Sequence, residues 1–320
     1  MARTKDGVLF YLGLLTLLVF PWLGAVLPLL GWVTDVCLLI AVFGLSNRLG
    51  WFKPALCLAV GYIVAVGTQG IAGMALVHYT PLAGIFGAWS RRWPSRGTAF
   101  FWALAAAALL AVAPFLLSFG VMLQEALAQE NIDAMLRMYQ ANGFFEPFQQ
   151  QGMSDRMIRE VFVDSMTFYL HLTPAFVAIL GMLEYGLAHA IFQRILRRMS
   201  GTRNMIIPFS LWRFPRWTIW GANLGILLFL GGDVLATPAV KLTGMNLMLI
   251  YAGLAFVLGM AVVAFFLRAF RVSGLVKWGI IAFNVIFAPF SVITLTLLGL
   301  LDLGLNFRRL PDQPKLNSQD

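Results

Sequence analysis

Residues 103–120 read "ALAAAALLAVAPFLLSFG", eighteen positions without a charge. A helix packed on the surface of a soluble domain keeps one polar face. This stretch has none, because alanine, leucine, valine and phenylalanine occupy every face of the helix it predicts. A strand of a membrane β-barrel alternates polar and apolar residues over about ten positions, and no alternation is present. About 20 mainly apolar residues cross a bilayer as a helix. Continued to Thr98 and Leu123, this run is long enough to do so.

The rest of the chain repeats the pattern. Of its 320 residues, 60% are apolar and 12% charged, and its mean hydropathy is +0.82. Ordinary soluble domains hold about 45–50% apolar residues, so a soluble core of this size could not hide so much apolar surface. The composition predicts an all-α fold: a polytopic transmembrane helical bundle of about 8–9 spans with an extramembrane helical insert. The hydrophobic segments fall at Val8–Leu30, Trp32–Leu45, Pro54–Gln69, Ile71–Trp89, Thr98–Leu123, Val161–Ile195, Trp217–Leu235, Met245–Leu267 and Trp278–Leu301. Pro21 and Pro28 interrupt the first and Pro289 the last. The first run continues past Phe20 without a small-residue cleavage site, which predicts a retained helix rather than a removed signal. Cys37 and Cys57 lie inside spans and are expected to be apolar fillers rather than a disulfide. Residues 1–310 form a single membrane domain on this reading, and 311–320 are a polar tail.

Basic residues orient the chain, because cytoplasmic connections collect Lys and Arg. Clusters form at Arg48 and Lys53, at Arg91, Arg92 and Arg96, from Arg194 through Arg216, and at Arg268, Arg271 and Lys277. All four share one side if the N-terminus is cytoplasmic and each segment crosses once. The hairpin at Asp233–Lys241 then lies outside. Nine crossings would also put the tail outside, although it carries Arg308, Arg309 and Lys315. A last segment folded back at Pro289, or one early segment that does not cross, removes that conflict.

Between Gln124 and Asp164 the balance inverts. Seven acids against three arginines leave −4 there and +13 over the rest of a chain whose net charge is +9. The insert, 124–160, is therefore expected on the extracytoplasmic side. Within "QEALAQENIDAMLRMYQ", Ile132, Met135, Leu136 and Tyr139 follow the i, i+3, i+4, i+7 stripe of an amphipathic helix. The fifth membrane helix is expected to run on through it, with Asp133–Arg137 as an i, i+4 pair. "ANGFFEPFQQQGMS" interrupts, and Ser154 and Asp155 can cap a new helix, with Asp155–Arg159 and Arg156–Glu160 as further pairs. From Ser154 to Met199 that helix measures about 69 Å. It must project beyond a bilayer core of about 30 Å or bend at Pro174.

Ionisable residues inside spans are rare and mark candidate sites. They are Asp35, His78, His171, Glu184 and His189, with Gln69, Asn223, Asn246 and Asn284 as polar neighbours. The ligand-binding candidates are Asp35, Gln69, His171, Glu184, Asn223 and Asn284. Glu184, in "GMLEYGLAHA", stands out because an unpaired carboxylate there would be costly. Glu184→Gln is expected to matter more than His78→Ala. His171 and His189 are about 27 Å apart on a straight helix and cannot share a metal. No catalytic set, metal site or cofactor is expected: HExxH, GxSxG, a Walker loop and GxGxxG in a strand–helix setting are all absent. "GANLG" at 221–225, Ala83/Gly87 and Ala255/Gly259 are small-residue pairs for close helix packing. The connection "RRMSGTRNMIIPFSLWRFPRW" interleaves arginine with Trp212 and Trp217. That mixture suits a membrane–water boundary and anionic lipid rather than nucleic acid.

Several features together resemble the YybS-like family of uncharacterised bacterial membrane proteins. They are "VLPLLGW" at 26–32, "RLGW" at 48–51, the basic turn after the fourth segment, a long connection before a long sixth helix, and "LGLLDLGLNFRRL" at 298–310 with Asp302 and Arg308. The helix pattern is also distantly similar to the substrate-binding membrane subunits of energy-coupling-factor transporters. These resemblances imply a multi-pass protein of the bacterial inner membrane. The polar residues scattered within the spans, an insert able to act as an external lid and the lack of a catalytic set point to a non-enzymatic, transport-linked role, either binding a small molecule or serving as a partner subunit. The alternatives are an envelope scaffold docking partners through the insert and the arginine-rich connection, and an intramembrane enzyme. No binding residue transfers from either family.

Overall fold

Helices are the regular elements throughout the described residues, 2–70, 77–90, 93, 96–200 and 209–310, of the computed structural model, and no strand occurs among them. In chain order they are α1 (Ala2–Val26), α2 (Gly31–Leu49), α3 (Phe52–Gln69), α4 (Thr80–Trp89), α5 (Arg96–Ala126) and α6 (Gln129–Ala141). Then come α7 (Glu146–Gln150), α8 (Asp155–Ser200), α9 (Ile219–Val234), α10 (Pro238–Ala269), α11 (Gly274–Ile286) and α12 (Ala288–Leu305). Gly50 and Gly70, at φ +75° and +70°, end α2 and α3. Left-handed backbone stops a helix, and glycine adopts it without Cβ strain.

Among the described residues, seven stretches are long and apolar enough to cross a membrane: Gly31–Leu49, Phe52–Gln69, Gly97–Leu116, Asp155–Leu196, Arg216–Val234, Pro238–Ala269 and Ala288–Leu305. Phe10–Val26 and Gly274–Ile286 are shorter apolar helices. The chain is thus a polytopic helical membrane protein. The polytopic bundle read from hydropathy is borne out, with seven such stretches among the described residues beside the two shorter apolar helices. Of the expected Ile71–Trp89 span, the described residues hold the ten-residue α4, and residues 71–76 lie outside them. The expected Trp278–Leu301 span is two helices that part at Phe287, because Pro289 in the first turn of α12 has no N–H to continue the ladder.

The insert also departs from expectation. The fifth helix does not run on: α5 stops at Ala126 and α6 starts afresh at Gln129. The predicted stripe is the inward face of α6, with Ile132 buried and Arg137 exposed. Asp133 pairs with Arg159 across the hairpin at 2.7 Å, rather than with Arg137. That leaves Asp155 to accept a hydrogen bond from Gln149, at 3.2 Å. The Arg156–Glu160 pair forms as expected, at 3.0 Å. Tyr139 packs against Phe144, Phe145 and Phe162, which ties α6 to the start of α8.

The 46-residue α8 is the spine of the fold. Its Pro174 opens the backbone ladder, and Asn246 of α10 closes it again. The Asn246 carboxamide accepts from Ala175 N–H at 3.0 Å and donates to the His171 carbonyl at 2.9 Å. These two backbone groups would bond each other in a regular helix. A side chain from a neighbouring helix thus stands in for the bond that the proline region gives up, as an apolar solvent requires. Against the other faces of α8 pack α2, through Phe43 on Tyr185 and Phe192, and α5, whose Ala107 and Ala111 meet Gly181. The predicted small-residue pairs serve intramolecular packing: Gly225 meets Met248 and Gly244 of α10, and Gly259 meets the backbone of Leu295 in α12. Cys37 and Cys57 are free thiols, half-buried.

The tail joins the arginine-rich connection. Arg308, buried, donates from Nε and Nη2 to Asp302 Oδ2 at 2.9 and 2.7 Å, and to the carbonyls of Ser210 and Trp212 at 2.9 and 2.8 Å. Arg213 donates to the Leu310 carbonyl at 2.6 Å and Arg268 to Ser210 Oγ at 3.0 Å. Residues 306–310 therefore lie with two of the internal basic clusters, and the conflict over their side disappears. The polar tail 311–320 and the cluster at Arg91 and Arg92 lie outside the described residues.

Candidate functional site

Three ionisable groups from three separate parts of the chain meet where α2, the connection into α4, and α8 come together. Asp35, one turn into α2, is 2% exposed. Its Oδ2 lies 2.8 Å from His78 Nδ1, forty-three residues further along the chain. Glu184 of α8, half-buried, lies close enough to interact with Asp35, His78 and Thr80.

Each group is held from behind. "VLPLLGW" ends α1, makes a short turn at Pro28–Leu30 and starts α2 at Gly31. The His78 imidazole lies directly on Gly31, where any Cβ would collide with the ring. Thr34 donates to the Gly31 carbonyl at 2.7 Å. Tyr62 of α3 donates from its hydroxyl to the His78 carbonyl at 2.8 Å and fixes the connection's backbone. Thr80–Pro81 starts α4, so the fixed φ of proline in the first turn sets where His78 leaves the helix mouth. Among the three side chains His78 reaches the surface, at 41% exposure against 3% for Asp35.

The sequence named all three residues but placed only Asp35 and Glu184 among the binding candidates. His78, ranked below Glu184, is the group in direct contact with Asp35. The other candidates lie elsewhere. His171 is thirteen residues from Glu184, about 20 Å along α8, and its Nδ1 bonds the Thr167 carbonyl at 2.7 Å. Asn284 donates to Ile280 of its own helix at 2.8 Å. Gln69 ends α3 and Asn223 lies half-buried on α9, and neither joins the Asp35 group. His189 packs its ring on Phe43 and Phe100. Gly31, Tyr62 and Thr80 went unnoticed. The available signal was "HYTP" at 78–81, a histidine two residues ahead of a Thr–Pro helix start.

The arrangement offers an ion pair and hydrogen-bonding groups where α2 meets α8. Among the described residues no group of three His, Cys, Asp or Glu side chains is arranged to hold a metal ion. An apolar crevice lined by Phe101, Phe214, Tyr251, Leu258 and Leu303 lies apart from these carboxyls. A family model described as "Predicted membrane protein (DUF2232)" matches residues 14–303. No curated protein and no solved structure matches the chain, so the likeness to energy-coupling-factor subunits rests on helix pattern alone.

Proposed function

Given that the chain belongs to this predicted membrane protein family, we propose that it is a non-enzymatic, transport-linked subunit whose working centre is the Asp35–His78–Glu184 joint. In this reading the joint governs the binding of a small molecule or of a membrane partner. The observation that carries it is the buried Asp35 carboxylate paired with His78 where α2 meets α8, with the half-buried Glu184 beside them. Groups so costly to place in an apolar solvent are kept for ion or substrate work. The non-enzymatic part is supported by the way these groups satisfy one another. The proposed setting is the bacterial inner membrane, with the N-terminus and the arginine-rich connection cytoplasmic and the acidic insert outside. The positive-inside bias supports that orientation. Anionic lipid at the exposed Arg216 of the arginine-rich connection completes the proposal, and nucleic acid has no part in it.

The test is purification of the full chain in mild detergent as wild type, Glu184→Gln and Asp35→Asn, with mass spectrometry of retained small molecules and membrane proteins. One bound species is expected to fall about tenfold or more in both variants, equivalent to about 1.4 kcal/mol of affinity. The same retained set at the same level from all three folded proteins would refute the proposal.

A further inference from the structure

We propose that α11 and α12 form a re-entrant hairpin. It enters the bilayer from the side of the arginine-rich connection, turns back at Phe287 inside the bilayer, and presents α11 to the acyl chains of that one leaflet. The proposal is independent of what the Asp35–His78 pair binds.

The relative direction of α10 and α12 carries it. Gly259 of α10 lies on the Leu295 carbonyl of α12, and Gly299 of α12 lies on the Ala255 carbonyl and the Gly259 nitrogen of α10. The two glycines therefore face each other. Arg268 and Arg308, each nine residues past its glycine, both bond Ser210, at 3.0 and 2.9 Å. Antiparallel helices crossing at these glycines would hold the two arginines about 27 Å apart. So α10 and α12 are parallel, and both end on the arginine-rich side. The chain between them, α11 with its two short joints, must return from that side.

It does not return all the way. Ala288, eleven residues before Gly299, comes level with Met248, eleven residues before Gly259. That is about 15 Å short of the start of α10 at Pro238. The opposite face lies near Pro238, where Gly232 of α9 packs on Lys241 and Asp233 pairs with Lys241 at 2.6 Å. The thirteen residues of α11 span about 20 Å, against about 30 Å of hydrocarbon.

The residues suit one leaflet. No residue of α11 is buried, and Leu275, Trp278, Val285 and Ile286 are each more than two-thirds exposed. Arg271, Lys277 and Trp278 gather at the mouth, as headgroups favour. At the tip Phe283 packs on Phe287, with centroids 4.7 Å apart. A turn in hydrocarbon must keep its backbone bonded. Phe287 N–H donates to the Phe283 carbonyl at 2.9 Å, the Phe287 carbonyl accepts from Ser291 N–H at 2.9 Å, and Pro289 has no N–H to satisfy. Asn284 donates to the Ile280 carbonyl of its own helix. Because α12 also carries Asp302, the lipid-covered hairpin is tied through Arg308 to the arginine-rich connection.

The test places single cysteines in the full-length chain, with Cys37 and Cys57 changed to alanine, in right-side-out and inverted vesicles. Ser273→Cys and Leu305→Cys are expected to react with an impermeant maleimide from one face, and Leu235→Cys from the other. Phe287→Cys is expected to react from neither. Bimane attached at that cysteine before reconstitution is expected to be quenched by lipid brominated in mid-chain and not by aqueous iodide. Val285→Cys repeats the tip measurement should Phe287→Cys not fold. Ser273→Cys and Leu305→Cys reacting from opposite faces would overturn the proposal in favour of one broken span. A tip reacting from the Leu235 face would replace the hairpin with two full spans, and one reacting from the Ser273 face would place it on the surface. A tip that brominated lipid leaves unquenched is covered by protein, a second copy of the chain or another subunit, and that result also overturns the proposal.

Discussion

Asp302→Ala is expected to lower stability by about 3–5 kcal/mol, enough to leave most of the protein unfolded or aggregated in detergent. Asp302 and Arg308 are both buried, at 2% and 0% side-chain exposure, and the guanidinium is bidentate on one carboxylate oxygen. Removing the carboxylate strands a positive charge in an apolar setting. Removing both charges is different, because hydrophobic replacement of a buried pair is often close to neutral. Asp302→Leu combined with Arg308→Met is therefore expected to recover part of the loss. Recovery stays incomplete, since Arg308 also satisfies the carbonyls of Ser210 and Trp212. Thermal melts of the single and double variants in one detergent check this. A double variant no more stable than Asp302→Ala would show that the carbonyl contacts, rather than the ion pair, dominate the junction.

Replacing Gly259 or Gly299 by valine is expected to cost about 3 kcal/mol or more, at the upper end of the range for overpacking. A Cβ at Gly259 would meet the Leu295 carbonyl, with Leu295 Cα at 3.0 Å. One at Gly299 would meet the Ala255 carbonyl, with the Gly259 nitrogen at 2.8 Å. These neighbours are backbone and cannot rotate aside, so α10 and α12 must separate along their contact. Gly279 of α11 is the control, because a Cβ there meets nothing within 4 Å. Gly279→Ala is expected to be neutral or to stabilise by about 0.5–1 kcal/mol through helix propensity. Melting temperatures that fall equally for all three would place the valine effects outside the α10–α12 contact.

How far the sequence reveals this molecule depends on the range of the interactions. Apolar runs such as residues 103–120 announce membrane helices because the bilayer demands length and apolarity locally. The break at Pro289 was legible for the same reason. The stop at Ala126 was not, since neither Leu127 nor Ala128 is a helix breaker and the new helix is tied to α8 through Tyr139 on Phe162. Asp133 had a suitable partner four residues away and chose Arg159 instead, because the hairpin brings that guanidinium nearer. Polarity within a span proved a poor guide to the site. Asn284 answers to its own helix and Asn246 mends the ladder at Pro174. Asp35, His78 and Glu184 meet only through tertiary packing, and spacing along the chain carries no trace of that meeting.

The double-mutant cycle between Asp35→Asn and Glu184→Gln addresses the meeting of these carboxyls most directly, with unfolding free energies of the wild type, both singles and the double measured in the same lipid–detergent mixture. The structure predicts an interaction energy of about 1 kcal/mol or more, as found for residues sharing one polar network. Additive effects, agreeing within about 0.3–0.5 kcal/mol, would mean that the two groups do not share a site.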